Sequence, residues 1–204
     1  PFFVLNFGRL NDIASCANLF EKIIDGSPGK VANVVLVATG FSETVLGHLA
    51  VNFSAANKNI NVFPLLIPMS PIKTGQFDFL RDLAALTGAT VFDPIQKPMD
   101  SGTALDLGVS TKFEASRFRS NIIIDMDEQT EVNIFARVDE LNQQLGSVAT
   151  AELDKQLLRE RIGKLTGGIA KLKIFGSSNG ELREKRDRAE DAICAVRGAI
   201  KHGV

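Results

Sequence analysis

The stretch that decides the fold is LRERIGKLTGGIAKLKIFGSSNGELREKRDRAEDAICAVRGAIKHGV, residues 158–204. It predicts the end of a helix, closed by the glycine pair 167–168, and then a short apolar strand over 169–174. From Glu181 to Ile200 it predicts a highly charged helix with one apolar line. That line comprises Ala189, Ile193, Val196 and Ile200. Because a helix so polar on its other sides rarely lies in a compact core, we expect a strut that links two bodies.

The residues before this stretch alternate between strands and helices. Residues 1–6 and 33–38 are apolar runs typical of strands covered on both faces. A helix is predicted over 10–26, with Asn11 or Asp12 as its cap, and a second one begins at Ser42. This alternation predicts an α/β fold with a β-sheet core flanked by helices.

Both predicted helices carry two apolar lines, although one line is enough to dock a surface helix. In the first helix the lines are Cys16, Leu19 and Ile23, and Ile13, Ala17, Phe20 and Ile24. In the second helix they are Val45, Leu49 and Phe53, and Leu46, Ala50 and Val51. We therefore expect the helices to run side by side with an apolar groove turned outward, centred on Phe20 and Leu46.

The middle of the chain contains further elements of both kinds. A strand is predicted over 60–68, where Pro64 favours an edge position or a bulge. A helix over 76–86 is stopped by Gly88, and a hairpin is predicted within 113–127. Two more helices are predicted over 130–145 and 151–166.

Composition excludes several classes of protein. The chain has 204 residues, 45% hydrophobic and 23% charged, which fits one or two globular domains. A net charge of −1 lacks the basic excess of a nucleic-acid surface, so we expect no nucleic-acid partner. With no apolar run of membrane-spanning length and no signal peptide, we expect no membrane partner and a cytoplasmic protein. Because Pro1 opens the chain in place of a methionine, we expect a piece of a longer protein.

The C-terminal stretch resembles a known family. The runs LRERIGKLTGGIA and EKRDRAEDAICAVRGAIKHGV, in this order, are similar to the bacterial-type (group I, GroEL-type) chaperonins. In that family the same run leaves the apical domain and enters the intermediate domain. The resemblance implies an apical, polypeptide-binding domain over 1–168 and the C-terminal part of an intermediate domain over 169–204. The equatorial ATP-binding domain would be absent from this chain.

The two helices with double apolar lines resemble the same family. LNDIASCANLFEKI and KVANVVLVATGFSETVLGHLAVN are similar to two successive helices that line the family's polypeptide-binding groove. That groove also receives the mobile loop of a co-chaperonin lid. Carried over by position, the groove residues are Ala17, Phe20, Ile24, Leu46, Ala50 and Val51. The implied partners are non-native polypeptides, identical subunits in a ring and a co-chaperonin lid.

The resemblance also implies one catalytic residue. Asp191, within A-E-D-A, matches the family's intermediate-domain aspartate, which positions or activates the water that attacks ATP beside Mg²⁺. ATP and Mg²⁺ are thereby implied for the intact protein, an ATP-driven chaperonin, while this chain alone should hold neither and hydrolyse no ATP. The resemblance places the family's inter-subunit switch glutamate at or near Asn179, so its charge is absent or moved to Glu181.

Two other functions stay open from the residues alone. Asp125 and Asp127 follow a predicted strand, where two carboxylates could hold Mg²⁺ in a phosphotransferase-like enzyme. The Thr or Val of that motif is replaced by Gln129, and an acidic turn that caps the next helix explains the same residues. The remaining possibility is a stand-alone peptide-binding adaptor without an ATPase domain.

Other candidate ligand sites have plainer explanations. FGSSNG, residues 175–180, lies between a predicted strand and a helix, as a phosphate-binding loop does, but it lacks the P-loop pattern and predicts a turn. His48 and His202 have no Cys, His or carboxylate at ligand spacing. We therefore predict no metal site.

Overall fold

The structure is a computed structural model that describes residues 1–55, 58–70, 75–116, 119–147, 152–167 and 172–203. The chain divides into two compact units, Pro1–Gly167 and Gly168–Val204, and the boundary falls beside the glycine pair at 167–168. None of the helices in the described ranges is long and apolar enough to cross a membrane.

The first unit alternates strands and helices as the sequence predicts. The strands are β1 (Phe2–Leu10), β2 (Ala32–Phe41), β3 (Ile60–Leu66), β4 (Val91–Phe92), β5 (Gly108–Val109), β6 (Lys112–Ala115) and β7 (Ser120–Ile123). The helices are α1 (Ala14–Asp25), α2 (Glu43–Ser54), α3 (Gly75–Thr87), α4 (Glu128–Gly146) and α5 (Glu152–Thr166), with short 3-10 turns at Met99–Ser101 and Ala104–Asp106. In the second unit, α6 spans Asn179–His202.

A parallel sheet with the order β3-β2-β1-β4 forms the centre of the first unit, and β5 joins β1 in the antiparallel direction. The connections from β1 to β2 and from β2 to β3 move in the same direction across the sheet. Since such crossovers are right-handed, α1 and α2 lie on the same face. The connection through α3 returns past β1 to β4, so α3 covers the opposite face.

Two apolar layers fill the space between the sheet and its helices. The layer under α1 and α2 contains Cys16, Leu19, Phe20, Ile23, Val45 and Leu49, with Val4, Val34, Leu36 and Val62 from the sheet. The layer under α3 contains Leu80 and Leu83, with Phe3, Leu5, Val35 and Val37. Because successive strand residues point to opposite faces, the continuous apolar runs of β1 and β2 supply both layers, as predicted.

Pro64 lies on the edge strand β3, which confirms the prediction drawn from that proline. The N–H of Ile67 donates to the carbonyl of Ala38 at 3.0 Å, so the odd-numbered residues of β3 point their backbone N–H and C=O groups toward β2. The alternate residues, Pro64 among them, turn their backbone toward the outer edge. Proline offers no N–H there, and Asn52 Nδ2 occupies the edge carbonyl of Ile60 at 2.8 Å. The edge is therefore poorly suited to pairing with another strand.

A cluster of charged side chains joins α3 to α4 and α5. The side chain of Arg137 is only 4% exposed and donates to Asp82 at 2.8 Å, Glu140 at 2.6 Å and Asp78 at 3.2 Å. Arg161 of α5 donates to the second oxygen of Asp82 at 2.7 Å. Burial acts to lower the pKa of Arg137, but its bonds to Asp82 and Glu140 raise that pKa above the ordinary value. Arg137 is therefore a fixed cation that ties α4 to α3, and Arg161 ties α5 to the same carboxylate.

The segment that supports α1 is organised by a buried carboxylate. Asp106 accepts from the backbone N–H and the hydroxyl of Thr103 at 3.0 and 2.9 Å and pairs with Lys97. Desolvation acts to raise the pKa of Asp106, but these hydrogen bonds, the one from Lys97 foremost, lower it to about 2. Lys22 of α1 donates to the carbonyl of Gly102 at 2.6 Å, so this segment anchors the C-terminal half of α1.

The predicted strand over 169–174 is wrong for the part that can be described. Residues 168–171 lie outside the described residues, and 172–176 have no regular structure. Leu172 and Phe175 are exposed, and none of the described strands pairs with 172–176; the carbonyl of Phe175 accepts instead from the side chain of Lys185 at 3.0 Å. A strand needs a hydrogen-bonded neighbour, and the apolar pattern alone does not supply one.

Removing Arg137 should unfold the first unit more easily. We expect Arg137→Met to lower the free energy of unfolding by about 3–5 kcal/mol, because it leaves the carboxylates of Asp82 and Asp78 without their buried partner. Urea denaturation followed by circular dichroism measures this. Arg81→Met is the matched control, since Arg81 pairs with Glu140 at 2.9 Å but is 40% exposed. It should cost less than about 1 kcal/mol. Equal losses in the two variants would contradict the structural role of Arg137.

The stability of the first unit should depend on the ionisation of Asp106. Its pKa is lowered from the ordinary 3.8 to about 2, so folding favours the charged form. The resulting stabilisation, about 2 kcal/mol, is complete above pH 4 and is lost as the pH falls through 4 to 2. We expect Asp106→Asn to be less stable than the parent chain at pH 7 and to show a smaller loss of stability between pH 4 and 2. Urea midpoints measured across this range test the prediction, and identical pH profiles would refute it.

Candidate functional site

Helices α1 and α2 begin next to each other at the carboxyl ends of β1 and β2. Ser42 caps α2, since its hydroxyl accepts from the N–H of Val45 at 3.2 Å, as the sequence predicts. The same hydroxyl donates to the carbonyl of Asn11 at 3.0 Å, and the N–H of Ser42 donates to Leu10 at 2.9 Å. Asp12 accepts from the first N–H of α1, that of Ala14, at 3.1 Å. One serine therefore ties the start of α2 to the turn before α1.

Most of the predicted groove residues face solvent. Val51 is 73% and Leu46 41% exposed, and Ala17 and Ala50 are also exposed. Ile24 is half-buried against the core. These residues place an apolar surface on the outer side of the two helices, chiefly on α2.

Phe20 does not face solvent, and the prediction that the groove is centred on it is wrong at this residue. Only 9% of Phe20 is exposed, and its ring belongs to the core layer with Cys16, Leu19 and Ile23. The second apolar line of α1 is therefore not wholly available for binding, because Phe20, its largest residue, packs into the core beneath the helix. A substitution of Phe20 would test the stability of the core and not the binding of a partner.

Sequence reasoning missed Phe53, which is 61% exposed at the end of α2. It had been grouped with Val45 and Leu49, which are buried. Phe53 also stands seven residues after Leu46 and three after Ala50, so these three side chains share one side of the helix. The signal available in the sequence was Lys58, a cation five residues after Phe53. In the structure its ammonium lies 4.4 Å from the centroid of the Phe53 ring and donates to the Phe53 carbonyl at 2.6 Å.

This surface is made of exposed apolar side chains. Exposed apolar side chains such as Leu46, Val51 and Phe53 are typical of surfaces that bind apolar segments of other chains. In the described ranges, no group of three or more His, Cys, Asp and Glu side chains could hold a metal ion. His48 is exposed, and the side chain of His202 lies outside the described residues.

Asp125 and Asp127 follow β7, which pairs only with β6 in a two-stranded ribbon outside the central sheet. Asp127 caps α4 and accepts from the N–H of Thr130 at 2.7 Å. Hydrogen bonds from Thr130 lower the pKa of Asp127. This is the acidic capping turn that the sequence offered as the plainer explanation. In phosphotransferase-like α/β folds, ligands bind at the carboxyl ends of the strands of the main sheet. Asp125 and Asp127 do not lie at such a strand end, which counts against the phosphotransferase interpretation.

Asp191 lies exposed near the middle of α6, in the second unit. Residues 175–180 form a turn and a helix cap: Ser178 accepts from the N–H of Glu181 at 3.2 Å. The carboxylate of Glu181 in turn accepts from the N–H of Ser177 at 2.8 Å and pairs with Lys185 at 2.7 Å. The bond to Lys185 and then that to Ser177 lower the pKa of Glu181. Glu181 is therefore engaged within its own helix end.

Comparison with known proteins agrees with the fold and with the position of these helices. The whole chain is 39% identical to a part of chaperonin GroEL from Wolbachia pipientis subsp. Culex pipiens and 38% identical to a part of chaperonin GroEL from Ehrlichia canis. It spans 36% of the length of each relative. No family model matches the chain.

The fold is also found in a solved structure. The chaperonin gp146 of bacteriophage EL, crystallised in the presence of ATP-BeFx, matches 98% of this chain with a TM-score of 0.69. At 19% identity, and with 38% of that protein covered, this match concerns the fold alone. The similarity to the bacterial relatives covers the whole chain, so the aligned part includes α1, α2 and α6. Along its whole length the chain is similar to a part of chaperonin GroEL, and its fold is found in a chaperonin.

Proposed function

We propose that the chain is the polypeptide-binding part of a chaperonin subunit, with an apical domain in the first unit and a piece of the intermediate domain in the second. The observation that carries this proposal is the exposed apolar side of α2, beside α1, in a chain that is similar to a part of chaperonin GroEL. Leu46, Val51 and Phe53 offer side chains to a partner without taking part in the core. The substrates are non-native polypeptides, which expose apolar residues that native proteins bury.

Binding of this kind is broad because it depends on buried area. Removing apolar surface from water contributes about 25 cal/mol per Å², so each large side chain that becomes fully buried contributes about 1.5–3 kcal/mol. Association and ordering of the bound segment offset much of this gain. Several such side chains are therefore needed for useful affinity. The helical surface sets no hydrogen-bond pattern that would restrict the sequence of the client.

The longer protein would couple this binding to ATP. We propose identical subunits in a ring, a co-chaperonin lid on the same groove, and a cytoplasmic location, as the family resemblance implies. ATP and Mg²⁺ would bind in a domain outside this chain, and hydrolysis would supply the free energy for domain movement. The Asp191 carboxylate is exposed on α6 and free of the capping bonds that engage Glu181, so it is the group available to orient or deprotonate a water molecule.

Charges on the exposed side of α2 should abolish polypeptide binding. We expect Leu46→Glu and Val51→Glu each to weaken binding to an unfolded client at least about tenfold, because a carboxylate cannot be buried against apolar side chains. Suppression of aggregation of a denatured client protein, measured by light scattering, reports this. Circular dichroism should show an unchanged fold, since both positions are exposed.

Phe135→Glu on α4 is the matched control. Phe135 is also a large exposed apolar residue, at 77%, but it lies on a helix that packs with α3 and α5 away from α1 and α2. We expect this variant to suppress aggregation as well as the parent chain does. A loss as large as that of Leu46→Glu would mean that unspecific surface apolarity, and not the groove, holds the client.

Asp191 should be required for ATP turnover in the longer protein and not for binding of clients. We expect Asp191→Asn to lower the rate of ATP hydrolysis about 100-fold or more, since the amide can accept no proton from the attacking water. Steady-state phosphate release measures the rate, and client binding should be unaffected. Asp187→Asn, four residues earlier on α6, is the control and should retain activity. Full activity of Asp191→Asn would remove the proposed role.

A further inference from the structure

A cleft of about 370 Å³ lies at the amino ends of β2 and β3 and is not among the groove positions that the family resemblance assigns. Phe53, Phe63 and Phe113 line it together with valines of the two strands and with Lys112. We propose that this cleft receives an aromatic side chain of the bound polypeptide and prefers one that is flanked by acidic residues. The inference rests on the proposed function, because it assigns a sequence preference to the same class of substrate.

Phe63 and Phe113 form an aromatic wall of the cleft, and Phe53 lines the cleft as a third ring. Phe63 and Phe113 meet edge to face, with ring centroids 5.4 Å apart, and Phe113 meets the buried Phe3 in the same way at 5.8 Å. Phe113 is thus fixed from behind, while Phe63 is 44% and Phe53 61% exposed. A further ring entering the cleft would find the edge-to-face partners that aromatic side chains prefer.

The volume of the cleft fits one large side chain. Pockets for complete small ligands run from about 300 to 1,000 Å³, so 370 Å³ is at the lower end of that range. Val34, Val35 and Val62 supply an apolar lining, and the linked amides of Asn33 and Asn61, 3.0 Å apart, supply a polar part. An indole or phenol fits such a mixed lining, because each has an apolar ring and one polar group.

The rim of the cleft carries positive charge. Lys58 holds its ammonium 4.4 Å from the centre of the Phe53 ring, and the mostly exposed Lys112 lines the cleft itself. None of the lining residues is acidic; Glu114, which follows on β6, pairs with Lys112 at 2.7 Å. An exposed pair of this kind is weak, so a carboxylate of a ligand can share Lys112 with Glu114. Charge complementarity therefore favours Asp or Glu beside the inserted ring.

Phe53 connects the cleft to the proposed binding side of α2. Its ring lines the cleft, and its position on the helix continues the line of Leu46 and Ala50. A polypeptide that lies along this side of α2 reaches the cleft at the last turn of the helix. The occupant to which the geometry points is consequently a segment of the client itself, with its aromatic residue at the end of the contact with α2.

The chain contains no Trp and no Tyr, so the fluorescence of a Trp-bearing peptide reports its own environment without background. The probes are three synthetic peptides with the same apolar segment: one with Trp between two Asp, one with Leu in place of Trp, and one with Trp between two Lys. By isothermal titration calorimetry, which also reports on the Leu peptide, we expect the Asp-flanked Trp peptide to bind about tenfold more tightly than either of the others, and we expect its Trp emission to shift to the blue. Equal affinities of the three peptides would overturn the proposal.

Variants separate the cleft from the groove. Phe63 lines the cleft and does not belong to the proposed binding side of α2, so Phe63→Ala should remove the preference for Trp over Leu. Leu46→Glu, in contrast, should weaken the binding of all three peptides. If Leu46→Glu acts as expected and Phe63→Ala has no effect, the cleft proposal fails and the proposed function stands. If Phe63→Ala acts and Leu46→Glu does not, the cleft stands and the groove fails.

Lys112→Glu provides a second variant at an exposed position, where folding should not be disturbed. It should reverse the preference, so that the Lys-flanked Trp peptide binds more tightly than the Asp-flanked one. An unchanged preference would show that charge at the rim plays no part and would overturn the acidic half of the proposal. Phe135→Ala on α4 serves as the control for the loss of an exposed ring and should alter none of the affinities.

Discussion

Coverage of both faces of one parallel sheet is the constraint on which the rest of the first unit depends. Because β1 and β2 are apolar along both faces, helices must pack on each side. The right-handed crossover then leaves no choice of side: successive connections that move in one direction place α1 and α2 together, and the return to β4 places α3 opposite. A pair of neighbouring helices on one surface, which a groove requires, thus follows from strand order.

Local chemistry explains which parts of this arrangement the sequence predicts. Ser42 caps α2, Pro64 marks an edge strand, and Gly88 adopts a positive φ of 75° just after α3, each for reasons that lie within a few residues. The family resemblance likewise depends on residue order and needs no coordinates. The predicted strand over 169–174 fails where it can be described, since a strand depends on a partner that lies elsewhere in the chain.

Phe20 was expected on the surface and is buried, whereas Phe53 was left out of the expected groove and is exposed. These two residues show why the site was predicted only in outline. Each helix carries two apolar lines, and spacing alone does not say which of them faces the sheet. On α1 the buried side is wide enough to take in Phe20 as well as Leu19, while on α2 it ends at Leu49 and leaves Phe53 outside. The outcome depends on how far each helix is rotated about its axis, and tertiary packing sets that rotation. A rotation of a few tens of degrees is enough to move a phenylalanine from the core to the surface.

The first unit exposes apolar side chains on α2, whereas the nearby edge of β3 is protected. One physical argument accounts for both features. A helix satisfies its own backbone, so the binding that we propose for α2 would use side-chain contacts and would be reversible. An open edge strand would offer rows of N–H and C=O groups to an unfolded chain, and such pairing propagates into aggregates. With Pro64 and Asn52 occupying the outer edge of β3, the proposed binding surface consists of side chains of α2 and not of strand backbone.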